Sequence, residues 1–183
     1  MIITIGGRIG AGKSSVSKAL AAKLGYKFYG AGNIRRKYAI SKGMTIAELN
    51  EEAKKNPASD VLVDDYMKKM AETEDNLVID AWLGFYFFPK SIKIFFDANP
   101  KLRAERIFKR AKPEERPKNP EEALKMLIER EECSLRRYKH LYGIENTFDL
   151  KNYDFIVDTT GKSVEKTTNI VYKFIMNRMK KQK

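Results

Sequence analysis

The chain has 183 residues, 43% of them hydrophobic and 33% charged, which suits one globular domain with a large core and excludes a disordered chain. No apolar run approaches the roughly 18 residues that would span a bilayer, and one cysteine (Cys133) with one histidine (His140) excludes a disulfide framework or a Cys-rich zinc site. The formal net charge of +12 points either to an anionic partner or to a solvated Lys-rich surface.

The sequence opens directly on a strand-like segment without a leader pattern, so a reducing cytoplasm is the expected compartment. Ile2, Ile3 and Ile5 are β-branched and apolar on both faces apart from Thr4, as in a central strand of a parallel sheet. The spacing predicts a helix over 13–24, with Val16, Leu20 and Leu24 on one face and Gly25 as its C-terminal cap. Residues 26–29 are a second strand candidate, and Gly30-Ala31-Gly32 breaks the pattern. Helices are expected over 33–42, stopped by Gly43; from Thr45, which has capping-box spacing to Glu48; and over 60–72, after Asn56-Pro57. Helices with no strand between them make 30–74 a small helical insertion.

Residues 76–80 and 92–97 read as buried strands ending in Asp80 and Asp97. Asn99-Pro100 opens a helix over 101–111. The stretch 112–120, with three prolines, reads as a mobile loop. A long helix over 121–141, a strand over 153–158 and a terminal helix capped by Ser163 complete the chain. Val171, Phe174 and Ile175 of that helix should face inward, and its basic end from 176 onward should fray. Strands alternating with helices imply a parallel α/β sheet covered on both faces. Ligands should then sit at the carboxyl ends of the strands, where Gly7, Asp80, Asp97 and Asp158 fall.

From Gly7 to Ser14 the chain fits G-x-x-x-x-G-K-[ST], the phosphate-binding loop, set between a strand and a helix. Gly7, Gly10 and Gly12 let the backbone wrap so that successive N–H groups share one concavity, and the helix N-terminus adds its dipole. Ile9, Ala11 and Ser15 belong to the same expected nucleotide-binding segment. The Lys13 ammonium suits β- and γ-phosphates, and the Ser14 hydroxyl suits Mg²⁺. Asp80, at the end of a neighbouring strand, either holds Mg²⁺ through water or caps a turn.

The arginines come in spaced sets. Arg103, Arg106 and Arg110 share one helix face, as do Arg130 and Arg137. A hinged pair of such helices would close over phosphates as a phosphoryl group moves. Surface pairing with Glu105, Glu114, Glu131 and Glu132 is the alternative. Arg35 and Arg36 stand at the mouth of the insertion, where one could hold an acceptor phosphate. The run Trp82, Phe85, Tyr86, Phe87 and Phe88 reads as core or hinge wall more readily than as a base platform. Cys133 and His140 read as structural.

These residues resemble the archaeal-type cytidylate kinases, within the P-loop nucleoside monophosphate kinases, over nearly the whole chain. The resemblance rests on the phosphate loop, Ala31-Gly32-Asn33-Ile34-Arg35-Arg36, Lys42-Gly43-Met44, and Lys93-Ile94-Phe95-Phe96-Asp97-Ala98 with Arg103-Ala104-Glu105-Arg106. Its most specific part is Ile128-Glu129-Arg130-Glu131-Glu132 leading to Arg137-Tyr138-Lys139 and Tyr142-Gly143-Ile144, closed by Tyr153-Asp154 and Thr159. It implies a five-stranded parallel sheet flanked by helices, with a core of 1–29, 75–109 and 136–183, an NMP-binding insertion at 30–74 and a lid at 110–135.

It further implies ATP and Mg²⁺, transfer to CMP or dCMP, and catalytic roles for Lys13, Arg106, Arg110, Arg130 and Arg137. Gly32, Arg36, Asp80, Arg130 and Arg137 would serve the acceptor. One segment departs from the family. Where the family has Asp/Glu-Gly-Arg after the third strand, this chain has Asp80-Ala81-Trp82. The alternatives are a kinase for another small acceptor such as AMP or UMP, or a nucleotide-responsive RNA-binding module. The expected protein is a monomer that needs neither membrane nor nucleic acid.

Overall fold

A computed structural model describes residues 1–56, 58–111 and 116–181. The five β-branched and aromatic runs form one parallel sheet: β1 (Ile2–Gly7), β2 (Lys27–Gly30), β3 (Leu77–Asp80), β4 (Ile92–Asp97) and β5 (Phe155–Asp158), in the order β2-β3-β1-β4-β5. Ile3, Ile5, Leu77, Ile79, Ile94 and Phe96 are all buried, as a sheet covered on both faces requires. The register pairs Ile5 and Gly30 with Asp80, Gly7 with Phe96, and Asp97 with Asp158. The strand ends singled out in the sequence therefore lie along one edge.

One face of the sheet is covered by α1 (Lys13–Leu24) and α8 (Val164–Lys181), whose Val16, Leu20, Val171 and Ile175 pack on Ile3, Ile5 and Ile94. Gly25 caps α1 in the left-handed conformation. Ser163 Oγ accepts the Lys166 N–H at 3.1 Å at the start of α8. Of the end expected to fray from residue 176, the described part stays helical to Lys181, where Met179 packs on the core and Arg178 pairs with Asp154 at 3.0 Å; residues 182 and 183 lie outside the described residues.

The insertion consists of α2 (Ala31–Ser41), α3 (Ile46–Lys55) and α4 (Ala58–Thr73) between β2 and β3. Thr45 and Glu48 form the anticipated capping box. Pro57, expected to separate helices, lies outside the described residues. The Gly30-Ala31-Gly32 break is shorter than expected. Gly30 ends β2 and is itself the extended N-cap of α2, so Ala31 and Gly32 are already helical. Val63, Met67 and Met70 of α4 pack on Leu77, Ile79, Leu83 and Phe87, forming a second core.

The aromatic run contains a short helix, α5 (Gly84–Phe87), that the sequence reading lacked. Phe87 and Phe88 are core residues there, and a Cβ on Gly84 would meet Thr4 Cβ at 2.9 Å. Asn99 and Pro100 open α6 (Pro100–Arg110), and Asn119 opens α7 (Pro120–Tyr142), which Gly143 ends in the left-handed conformation. A 3-10 turn (Leu150–Asn152) precedes β5. Residues 112–115 of the proline-containing loop lie outside the described residues. No described helix is long and apolar enough to cross a membrane.

Candidate active site

The phosphate loop leaves β1 where the backbone comes close to β4. Gly7 has φ +125°, and a Cβ there would lie 2.1 Å from the Phe96 carbonyl oxygen. Gly10, at φ +80°, passes the Arg103 backbone, with 2.7 Å from a built Cβ to the carbonyl oxygen. These two positions need glycine for both conformation and space. The loop curls around Lys13, whose Nζ donates to Gly7 O at 2.9 Å and to Arg8 O at 2.8 Å. Enclosure by the loop pulls the Lys13 ammonium below the usual lysine range. Asp80 and Glu131 oppose the shift, while Arg130 and Arg103 add to it.

The Ser14 hydroxyl, at the start of α1, donates to Asp80 Oδ2 at the end of β3. A hydroxyl and a carboxylate side by side at the loop are the hard oxygen donors that Mg²⁺ takes. No cluster of three or more His, Cys, Asp or Glu able to hold a metal occurs among the described residues. The pair therefore fits an ion whose remaining ligands come from phosphate oxygens and water.

Glu131, which the sequence offers as a surface ion-pair partner, is instead a buried carboxylate that braces the loop from behind. Glu131 of α7 accepts from Arg103 Nη1 at 2.8 Å, Arg8 Nη1 at 2.9 Å and the Ile9 N–H at 2.9 Å. Arg103, read as one of three arginines on a phosphate-facing surface, is instead buried against Glu131 and donates to Ile9 O at 3.2 Å. Its position one turn before Arg106 turns it under the loop as α6 meets α7. Arg106 ties the loop to β5, donating to Gly10 O and to both oxygens of Thr159 at 3.1–3.2 Å. Thr159 Oγ1 in turn donates to Ala11 O at 3.0 Å. Ile9 lines the cleft while its N–H is held by Glu131; Ala11 is fully buried and Ser15 is exposed.

In front of the loop an open cleft runs to the insertion. Gly10, Gly12, Lys13, Ser14 and Asp80 line it from the phosphate loop and β3; Gly32, Asn33, Arg35, Arg36 and Asp64 line it from the insertion, and Arg130 of α7 lies within electrostatic reach of both Lys13 and Arg35. Arg110, at the end of α6, borders the cleft too. The Arg130 guanidinium sits below the usual arginine value, first through partial desolvation within the cleft and then through Arg35, Arg36 and Arg137; Tyr138 opposes the shift. Arg36 donates to Asn33 Oδ1, and Asp64 accepts from the Tyr142 hydroxyl. Arg137 lies just behind Arg130, donating to Cys133 Sγ at 3.2 Å and Ser134 Oγ at 3.3 Å.

Trp82, at the position of the absent arginine, lines the same cleft. Its Nε1 donates to Gly7 O at 2.7 Å, and Tyr138 and Phe148 meet its ring edge-on. The structure thus brings a phosphate-loop lysine, a serine–carboxylate pair and a cluster of arginines to one cavity. Glu131, Thr159 and Trp82 are visible in the sequence, but the contacts they make to the loop are not, because their partners are remote in the chain.

The model of the cytidylate kinase-like family matches residues 2–161. A cytidylate kinase of Archaeoglobus fulgidus is 36% identical over 179 residues, covering 96% of this chain and 94% of that protein. One of Methanocella arvoryzae is 34% identical over 176 residues, covering 96% and 97%. Among solved structures, shikimate kinase from Bacteroides thetaiotaomicron superposes with a TM-score of 0.66 at 19% identity, over 96% of this chain and 98% of that one. That likeness concerns the fold.

Proposed function

The chain belongs to the cytidylate kinase-like family, and we propose from this that it is a nucleoside monophosphate kinase carrying the γ-phosphoryl group of ATP to CMP or dCMP. The observation that carries the reading is the single cleft lined by a phosphate loop and by Arg35, Arg36 and Arg130. Two anions bound by these groups would share one cavity.

An oxygen of the acceptor 5′-phosphate forms the new bond to the γ-phosphorus, and the bond from that phosphorus to the β–γ bridging oxygen breaks. ADP and a nucleoside diphosphate leave. The acceptor oxygen is already anionic, so the reaction needs neither a protein nucleophile nor a base. This chain's contribution is alignment and charge. Lys13 and the loop N–H groups hold the donor, and Arg36 and Arg130 hold the acceptor. Arg110 borders the path of the phosphoryl group, Arg137 supports Arg130 from outside the cleft lining, and Arg106 keeps the loop in shape from outside. Ser14 and Asp80 would hold Mg²⁺, which supplies charge neutralisation at the β- and γ-oxygens. Residues 30–74 serve as the acceptor-binding insertion and 110–135 as the lid, which excludes water when it closes.

The test is to supply ATP and Mg²⁺ with CMP, dCMP, UMP and AMP in turn and to follow ADP. ADP formed chiefly with CMP or dCMP is expected. Preference for AMP or UMP would move the acceptor assignment, and acceptor-independent hydrolysis alone would overturn the kinase reading.

A further inference from the structure

Trp82 is the chain's single tryptophan, and its contact with the phosphate loop gives it a role distinct from the acceptor contact expected of an arginine there. We infer that Trp82 is a positioning residue for the donor nucleotide: its indole N–H holds the Gly7 carbonyl so that Lys13 is free to move onto the phosphates.

The argument starts from the donors available to Lys13. An ammonium has three N–H groups and no acceptor. Two of them are directed at Gly7 O (2.9 Å) and Arg8 O (2.8 Å). Contact with both β- and γ-phosphate oxygens requires two donors, so at least one carbonyl must lose its ammonium when ATP binds. A buried carbonyl left without a donor opposes that exchange.

Each carbonyl has a second donor in place. Arg8 O also receives the Ala11 N–H at 3.3 Å, as the turn of the loop dictates. Gly7 O receives the Trp82 indole at 2.7 Å. The β1–β3 ladder explains why a side chain is needed there. Ala81 N–H donates to Ile5 O at 3.2 Å, and β3 ends at Asp80. Carbonyls on one strand edge alternate, so the next one facing β3 is Gly7 O, beyond the last ladder bond. The indole reaches it from the following turn, and Tyr138 and Phe148 fix the ring edge-on at 6.4 and 5.5 Å. Asp80, two residues earlier, accepts from Ser14 at the other end of the loop. The segment leaving β3 therefore grips the phosphate loop at both ends.

The proposal rests on the donor reading of the loop, and one calorimetric series separates the two. Binding of a non-hydrolysable ATP analogue with Mg²⁺ is measured without acceptor, so no turnover is involved. Trp82→Phe should weaken it by about 5- to 100-fold, as when a buried carbonyl loses its remaining donor. Replacing Trp82 by β-(3-benzothienyl)alanine, which has the same shape and lacks the N–H, should do the same if the larger change disturbs folding. The effect should vanish in a Lys13→Ala background, where no ammonium has to leave Gly7 O. A purely structural Trp82 would weaken binding equally in both backgrounds, and that result overturns the proposal. So does an unchanged affinity in the benzothienyl variant. Wild-type protein that fails to bind the analogue overturns the donor reading itself.

Discussion

Replacing Glu131 by alanine should loosen the phosphate loop and destabilise the whole fold. The carboxylate accepts from Arg103, Arg8 and the Ile9 N–H at 2.8–2.9 Å. The side chains of Glu131 and Arg103 are 6% and 7% exposed, so Arg103 cannot exchange its lost partner for bulk water. Among the described residues it would keep a long bond to Ile9 O at 3.2 Å. Arg8 is 36% exposed and lies over the Phe148 ring, and it should contribute little to the loss. Removing one partner of a buried ion pair costs about 3–5 kcal/mol. For a chain of 183 residues that lowers Tm by roughly 6–20 °C. Equilibrium denaturation followed by circular dichroism measures it directly. Because the pair is buried, Glu131→Leu with Arg103→Met should recover most of the loss, having removed both charges at once. A loss below about 1 kcal/mol for Glu131→Ala, the worth of a surface pair, would show that the brace does not carry the loop.

The other expectations concern the cleft. Lys13→Ala should lower phosphoryl transfer by about two orders of magnitude or more while leaving the denaturation curve cooperative, because the lost group acts on the transferring charge. Full activity in that variant would remove Lys13 from the reaction. The lowered Lys13 pKa gives a pH signature. The free ammonium deprotonates below the ordinary lysine value of 10.5, and bound phosphate favours the charged form. Nucleotide affinity should therefore be steady near neutrality and fall on the alkaline side from below that value. A Kd profile from pH 8 upward, with Lys13→Arg as the control lacking the break, reads this out. Arg130→Ala should raise KM for the acceptor by about 10- to 100-fold, the worth of a charge-assisted contact, with less change in KM for ATP. Equal effects on both would place Arg130 between the substrates instead of on the acceptor.

How far the sequence could be read depended on whether each feature was local. The phosphate loop, the strands ending in Asp80 and Asp97, the capping box at Thr45 and the N-cap at Asn99 are set by neighbours a few residues apart, and all are present. The short helix α5 was hidden because an apolar aromatic run suits core packing in any conformation, and only Phe87 of its aromatic residues is buried. The arginines of α6 show the same limit. Helical spacing correctly places Arg103, Arg106 and Arg110 near one another but cannot say what approaches them. Arg103 meets a carboxylate 28 residues later on α7, and Arg106 meets Thr159, 53 residues away. Glu131, with charged residues on either side, looked like surface until its contacts were known. Trp82 could be noticed as a departure, but its partner Gly7 is 75 residues distant.

The fates of these arginines bear on why the cleft is built as it is. Arg103 is matched by Glu131 and serves the fold. Arg130 is instead set among Arg35, Arg36 and Arg137, and desolvation in the cleft, reinforced by that crowding, lowers its affinity for a proton. Like charges gathered in a cavity oppose folding, so stability alone does not account for them. They become favourable when an anion enters, since each cation then gains a charge-assisted partner in a partly desolvated site. The free protein should accordingly gain stability with acceptor concentration, following the mass-action law for a ligand that binds only the native state. The same crowding separates the two roles within the cleft. A lysine held in the curl of the phosphate loop suits the terminal phosphates of a donor, and a set of guanidinium groups in the same cavity suits a second, smaller anion.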